Sequence, residues 1–258
     1  MTYHGILTTL RRTFTGRSAP APPVGERPLA LVYRGPASRP SGCAEAVAAL
    51  LADGPWDLDV RYTGPREAVP LTADALARAQ VYAQPGGGTL AHGYRHLRRQ
   101  REAIRDYVQG GGCYLGFCLG GYLAGATPGF GLLPGDTDQY ISSRGATVRG
   151  DDDTLVDVVW RGRTRSVFFQ DGPLFELDDG ADATVLATYP NGTVAALVAP
   201  FGKGRVAVVG PHPEATDDWF TDARLPVRDT RDLALDFVAE AMKGTTAATG
   251  PDGSPGSS

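Results

Sequence analysis

The sequence predicts one α/β domain in which helices cover both faces of a mostly parallel sheet, with a second half richer in strand. Two observations carry this. Short apolar runs (Leu29–Tyr33, Val81–Gln84, Cys113–Phe117) alternate with helical patterns as far as residue 124, the order expected of parallel strands joined by helical crossovers. From Thr147 to Val209 β-branched runs instead follow one another across turn residues.

Taken in order, Leu29–Tyr33 is a buried-type strand. Ser41 is a candidate N-cap for a helix running through Cys43 to Leu51 and stopped at Gly54. Leu58–Tyr62 is a second strand, Thr72 caps a short helix, and Val81–Gln84 is a third strand running into Pro85-Gly86-Gly87-Gly88. One long helix is predicted over Tyr94–Val108, ending at Gly110-Gly111-Gly112. Cys113–Phe117 is the next strand, with a helix over Leu119–Ala124 directly after it. The remaining strands are Leu155–Trp160, Val167–Gln170, Val185–Tyr189, Val194–Val198 and Val206–Val209, and an amphipathic helix over Asp229–Met242 closes the domain. Residues 1–28 and 244–258 can bury too little apolar area to offset the entropy of ordering them. They are expected to be a flexible N-terminal segment and a disordered tail on either side of a domain at 29–243.

Composition excludes some classes. An apolar fraction of 42% and a charged fraction of 21% are ordinary for a globular chain, and a net charge of −4 gives no attraction to nucleic acid or an anionic membrane. Neither is expected as a partner. No apolar run is long enough to span a bilayer, and Arg11-Arg12 is followed by Gly16-Arg17-Ser18-Ala19-Pro20 where a signal would need an apolar stretch. Three cysteines at 43, 113 and 118 make no disulfide framework, which suits a reducing compartment, and the expected location is cytoplasmic. Asp151-Asp152-Asp153 reads as a solvated turn, since three adjacent acids cannot all face one ion. No metal or other cofactor is expected.

The most informative stretch is Gly116-Phe117-Cys118-Leu119-Gly120-Gly121. It has the Gly-x-Cys-x-Gly form of a nucleophile elbow and falls between a predicted strand and a predicted helix, where that turn belongs. The glycines let the backbone pass closely around a strained turn. The turn also puts the sulfur at a helix N-terminus, whose dipole favours negative charge, and aims the Leu119 amide at the place where an oxyanion would form. Cys43, inside an Ala-rich helix, and Cys113, opening a strand, read instead as small buried hydrophobes.

Acyl transfer by a cysteine needs a histidine. His4 lies in the N-terminal segment expected to be flexible. His92 and His96 share a helix face, on the surface or lining a site. His212 follows an apolar strand within Gly210-Pro211-His212-Pro213-Glu214. In an extended segment residues two apart point to the same side, so Glu214 can reach the imidazole and set its tautomer.

The elbow with a distant Pro-His212-Pro-Glu214 resembles the class I glutamine amidotransferase-like superfamily, and more closely the N-terminal domain of eukaryotic-type biotin-protein ligases. Tyr33-Arg34-Gly35-Pro36, Pro85-Gly86-Gly87 and Gly202-Lys203-Gly204 before Gly210–Glu214 match that domain's motifs in order. The resemblance implies a flavodoxin-like three-layer sandwich with Cys118 as nucleophile, His212 as base and acid, and Glu214 as orienter. It further implies an oxyanion hole from the amides of Gly87 or Gly88 and Leu119. Gly86, Tyr122, Gln170 and Asp171 are expected at the substrate, although Gln170-Asp171-Gly172 also reads as an ordinary turn. The family's glutamine-using members carry a polar pair after the elbow where this chain has Gly121-Tyr122, which argues against glutamine as the substrate. Nothing resembles the ligase catalytic domain, so no biotin ligation is expected.

Two functions follow. One is a Cys-His-Glu amidohydrolase or amidotransferase that cleaves a small-molecule or peptide amide through a thioester, alone or with a synthase or ligase partner protein. The other is a non-catalytic regulatory or ligand-binding module. A redox pair of Cys113 and Cys118 is disfavoured, because the two sit at opposite ends of one strand.

Overall fold

The computed structural model describes residues 27–243. The expected terminal segments (but for positions 27 and 28), His4 and the Arg11-Arg12 pair lie outside the described residues.

Continuous apolar runs become strands here because both faces of the sheet are covered. In β1 (Leu29–Tyr33), Ala30 and Val32 enter one buried cluster while Leu31 and Tyr33 enter the other. The same alternation divides Val81 and Ala83 from Tyr82 in β3 (Ala79–Gln84), and Leu115 and Phe117 from Tyr114 in β4 (Cys113–Phe117). The first cluster is closed by α1 (Cys43–Ala52) and α7 (Arg231–Met242). The second is closed by α2 (Ala73–Leu76), α3 (Leu90–Leu97), α4 (Arg101–Gln109) and α5 (Leu119–Ala124). Three layers result, as expected.

The expected parallel sheet is only half of what forms. With β2 (Asp59–Thr63) and β11 (Gly204–Val209), the order β2-β1-β3-β4-β11 is parallel throughout. Beyond β11 the sheet continues antiparallel through β10 (Val194–Phe201), β9 (Thr184–Thr188), β6 (Thr154–Trp160) and β7 (Arg163–Phe169). A further pair, β5 (Gly135–Gln139) and β8 (Pro173–Leu177), branches from β10. Hairpins such as Phe201–Gly204 make this half antiparallel, since a tight turn cannot connect parallel strands.

Other expectations are corrected. The single helix over Tyr94–Val108 is two, α3 and α4, with Thr89 capping the first through its hydroxyl. The like-charged pair Arg95 and Arg99, four apart, disfavours a continuous helix at the break. The first helix is capped at Gly42 rather than Ser41, and the Gly42 amide donates to Glu45 Oε2 at 2.9 Å. Strands β5 and β8 and the short helix α6 (Asp217–Asp222) were not expected. The polar sequence of β5 has little β propensity and is extended because β8 pairs along its whole length, Gly135 with Leu177 through Gln139 with Pro173. Among the described residues no helix is long and apolar enough to cross a membrane.

Candidate functional site

The carboxyl ends of β1, β3, β4 and β11 meet at one place, the usual crevice of an open parallel sheet. Each delivers one piece of a cluster: the Ala37 turn, the Pro85–Gly88 loop, Cys118, and His212.

Cys118 is held in the elbow the sequence predicts. Its φ is +47° and ψ −103°, a conformation an L-residue adopts only under constraint. The constraint is visible: its amide donates to the Val209 carbonyl at 2.9 Å, and its own carbonyl accepts from the Tyr122 amide at 3.0 Å. Two glycines make the turn sterically feasible. A Cβ at Gly116 would crowd the Gly120 backbone, and one at Gly120 would run into the Gln84 carbonyl oxygen.

His212 is anchored by its amide, which donates to Phe168 O at 2.8 Å across an isolated bridge. Glu214 then reaches the imidazole by a route other than the expected extended one. The chain turns, with the Ala215 amide donating to His212 O at 3.2 Å, and the carboxylate folds back so that Oε1 lies 2.8 Å from His212 Nδ1. Thr230 fixes that turn by donating to the Pro213 carbonyl at 3.0 Å. The ring is walled by Phe168 and by Trp219 of α6, with centroids 6.1 Å and 5.2 Å away.

Gly86 lies between the two side chains. A Cβ there would be 2.8 Å from His212 Cε1 and 3.6 Å from Cys118 Cβ, so the absence of a side chain leaves the imidazole facing the sulfur. Cys118, His212 and Glu214, separated by almost a hundred residues, are thus brought together, and each is under a tenth exposed. The sulfur also lies 3.6 Å from the Gln170 carbonyl oxygen.

The electrostatics distinguish the groups. Burial pulls the His212 pKa down, but the Glu214 carboxylate, the charge of Cys118 and hydrogen bonds to both outweigh it, and the net value is pushed up to about 10. Because this exceeds the 6.5 of a free imidazole, the stability the imidazolium contributes is whole below pH 6.5 and is lost as pH rises towards about 10. Imidazole NMR should therefore find His212 doubly protonated through neutral pH. Glu214→Gln should move its titration down; an unchanged titration would exclude the carboxylate as the cause. The other two thiols are held protonated: burial, then the charges of Glu214 and Cys118, pushes Cys43 to about 12, and burial pushes Cys113 to about 12. All three cysteines are free.

The remaining expected residues divide. Gly87 packs against the Leu119 side chain and the Ala37 carbonyl, whereas Gly88 faces open space. The Gln170 carbonyl adjoins the sulfur, and Asp171 follows it in the chain. The Tyr122 hydroxyl oxygen is buried without a hydrogen-bond partner, and burial, then the charges of Asp171 and Cys118, raises its pKa. His92 and His96 stack edge to face on exposed α3, apart from this cluster. The Asp151–Asp153 run is an exposed bend, as expected. Sequence reasoning missed Gln84, which is fully buried, accepts from Tyr82 Oη at 2.9 Å and donates to Ala37 O at 3.0 Å. A lone amide ending an apolar strand was the available signal. Phe168 and Trp219 offered none, since their place depends on how α6 packs.

Residues 30–144 match the family described as "Biotin-protein ligase, N terminal". The matched segment is under half of the chain. It contains the Cys118 elbow and the Pro85–Gly88 loop, and His212 and Glu214 lie beyond it. A biotin–protein ligase of Schizosaccharomyces pombe is 26% identical over 194 aligned residues, covering 65% of this chain and 30% of the relative. The chain therefore spans under a third of that relative's length. Among solved structures, a glutamine amidotransferase is similar at a TM-score of 0.52 and 16% identity, covering 80% of this chain and 98% of the other. That likeness establishes the glutamine amidotransferase-like fold.

Proposed function

We propose that the protein is a cysteine-dependent enzyme that cleaves a C–N amide bond through a thioester. The observation that carries this is the convergence of a strained elbow cysteine with a buried imidazole that is itself held by a carboxylate. In this reading Cys118 Sγ, as thiolate, adds to the amide carbonyl carbon, and the amides of Leu119 and of Gly87 or Gly88 receive the oxyanion. Collapse breaks the C–N bond, and the imidazolium of His212 gives its proton to the departing amine. Neutral His212 then takes a proton from water, or from an acceptor amine, as it attacks the thioester carbon. The acyl group leaves and the thiolate and imidazolium are restored. Glu214 keeps the proton on Nδ1 and opposes the charge that appears on the ring. Three free thiols suit a reducing, cytoplasmic setting.

The test is a stable acyl-enzyme. Incubation with an activated acyl donor should add one acyl mass, mapped by peptide analysis to Cys118 and absent in Cys118→Ala. Modification spread over all three cysteines, and only after unfolding, would exclude the reading.

A second reading, a non-catalytic ligand-binding or regulatory module that acts with a synthase or ligase partner, is favoured by one observation. The cavity of about 500 Å³ beside Glu214 is lined by Ala46, Leu50, Pro213 and Arg231 and does not include Cys118. Partner capture undiminished in Cys118→Ser, together with no turnover across amide libraries, would decide for it.

A further inference from the structure

A side-chain amide buried at the end of an apolar strand costs free energy unless its polar atoms find partners. Gln84, the last residue of β3, is fully buried, as is Tyr82 on the same face two residues before it. The orientation of the Gln84 amide is fixed by what surrounds it. The carbonyl oxygens of Ala37 and Pro85 only accept, so Nε2 faces them and donates at 3.0 Å and 3.5 Å. Oε1 is left to accept from Tyr82 Oη at 2.9 Å. Burial pushes the Tyr82 pKa up, so that hydroxyl stays a donor at neutral pH.

Three pieces of the site meet on this one residue. Its side chain holds Ala37, in the turn after β1, and Pro85, the first residue of the glycine loop. Its backbone touches the elbow helix, because a Cβ at Gly120 would run into the Gln84 carbonyl oxygen and lie 3.1 Å from Gln84 Cβ. Ala37 in turn backs the glycine loop. A Cβ at Gly87 would lie 3.0 Å from Ala37 O on one side and 2.9 Å from Leu119 Cδ2 on the other. The same loop passes beside the nucleophile, since a Cβ at Gly86 would be 3.6 Å from Cys118 Cβ. Three successive glycines have wide conformational freedom, and backbone amides stabilise an oxyanion only if they already stand in place. The restraint on this loop therefore has to come from outside it.

We propose that Gln84 is a positioning residue for the oxyanion loop. By holding Pro85 and, behind Gly87, the Ala37 carbonyl, its amide sets where the Gly87 and Gly88 amides stand relative to Cys118. This rests on the amide-cleaving reading above. In this role Gln84 touches no substrate and acts only through the backbone it ties together.

Two reagents separate positioning from folding. p-Nitrophenyl acetate acylates the Cys118 thiolate through an oxyanion and releases p-nitrophenolate. Iodoacetamide alkylates the same thiolate by displacing iodide, and no oxyanion forms. Gln84→Met keeps the length of the side chain and removes its polar atoms; Gln84→Asn keeps the amide and shortens its reach. In both, the ratio of acylation rate to alkylation rate at Cys118 should fall by about tenfold or more, a displaced donor costing less than the 100-fold or so of a deleted one. Alkylation should stay near the native rate, with melting temperatures confirming folded protein. A native ratio in either folded variant, whether both rates hold or both fall together, overturns the proposal. Failure of both variants to fold also overturns it, since Gln84 would then serve the core alone. Native protein that acylates no faster than the unfolded chain would instead sink the amide-cleaving reading, and this inference with it.

Discussion

Replacing His212 with alanine is expected to slow acylation of Cys118 by about 100-fold near neutral pH, the lower range for losing a positioned acid–base group. Two effects combine. The substitution removes the charge that opposes the thiolate, and it removes the proton donor for the leaving amine. It also leaves Glu214 as a buried carboxylate whose Oε1 has lost its partner and whose Oε2 already has none, so some loss of stability should accompany it. Measuring acyl transfer with donors of different leaving-group basicity separates these. Loss of the proton donor should penalise basic leaving groups most, whereas loss of fold would slow all donors alike. A variant that acylates Cys118 at the native rate would remove His212 from the chemistry.

Gly120→Ala should destabilise the protein by about 3 kcal/mol or more, the range for a forced backbone clash in a packed core. The added Cβ meets the backbone carbonyl oxygen of Gln84, which cannot rotate away because β3 pairs with both β1 and β4. Either the elbow opens or β3 shifts. Thermal unfolding should register a loss of roughly 6 °C or more for a domain of this size. Gly88→Ala, with nothing within 4 Å of its Cβ, is the matched control and should stay within about 0.5 kcal/mol of the native protein. Equal melting temperatures for the two variants would contradict the packing described here.

The parallel half of the fold was legible because it is coded locally. Leu29–Tyr33, Val81–Gln84 and Cys113–Phe117 are apolar on both faces and each is followed by helical periodicity. The elbow was legible for the same reason, since strand, glycines and helix are adjacent in the chain. The β5–β8 pair was not, because Gly135–Gln139 is extended by a partner more than thirty residues away. The split between α3 and α4 and the shift of the cap to Gly42 were also missed, being small preferences that packing and local hydrogen bonds settle.

The sequence by itself pointed to Cys118, His212 and Glu214 as the candidate site, because each lies in a short pattern whose residues constrain one another. Only the tertiary structure decided how they meet. The parallel register of β4 with β11 sets Val209 beside Phe117 and so brings the residue after each strand to one end of the sheet. A turn, not an extended segment, returns Glu214 to the imidazole. The surroundings, with Gln84 beneath the loop, Phe168 and Trp219 against the ring, and the Gln170 carbonyl against the sulfur, come from elements distant in sequence. Their contacts exist only once the chain has paid the entropy of closing those long loops.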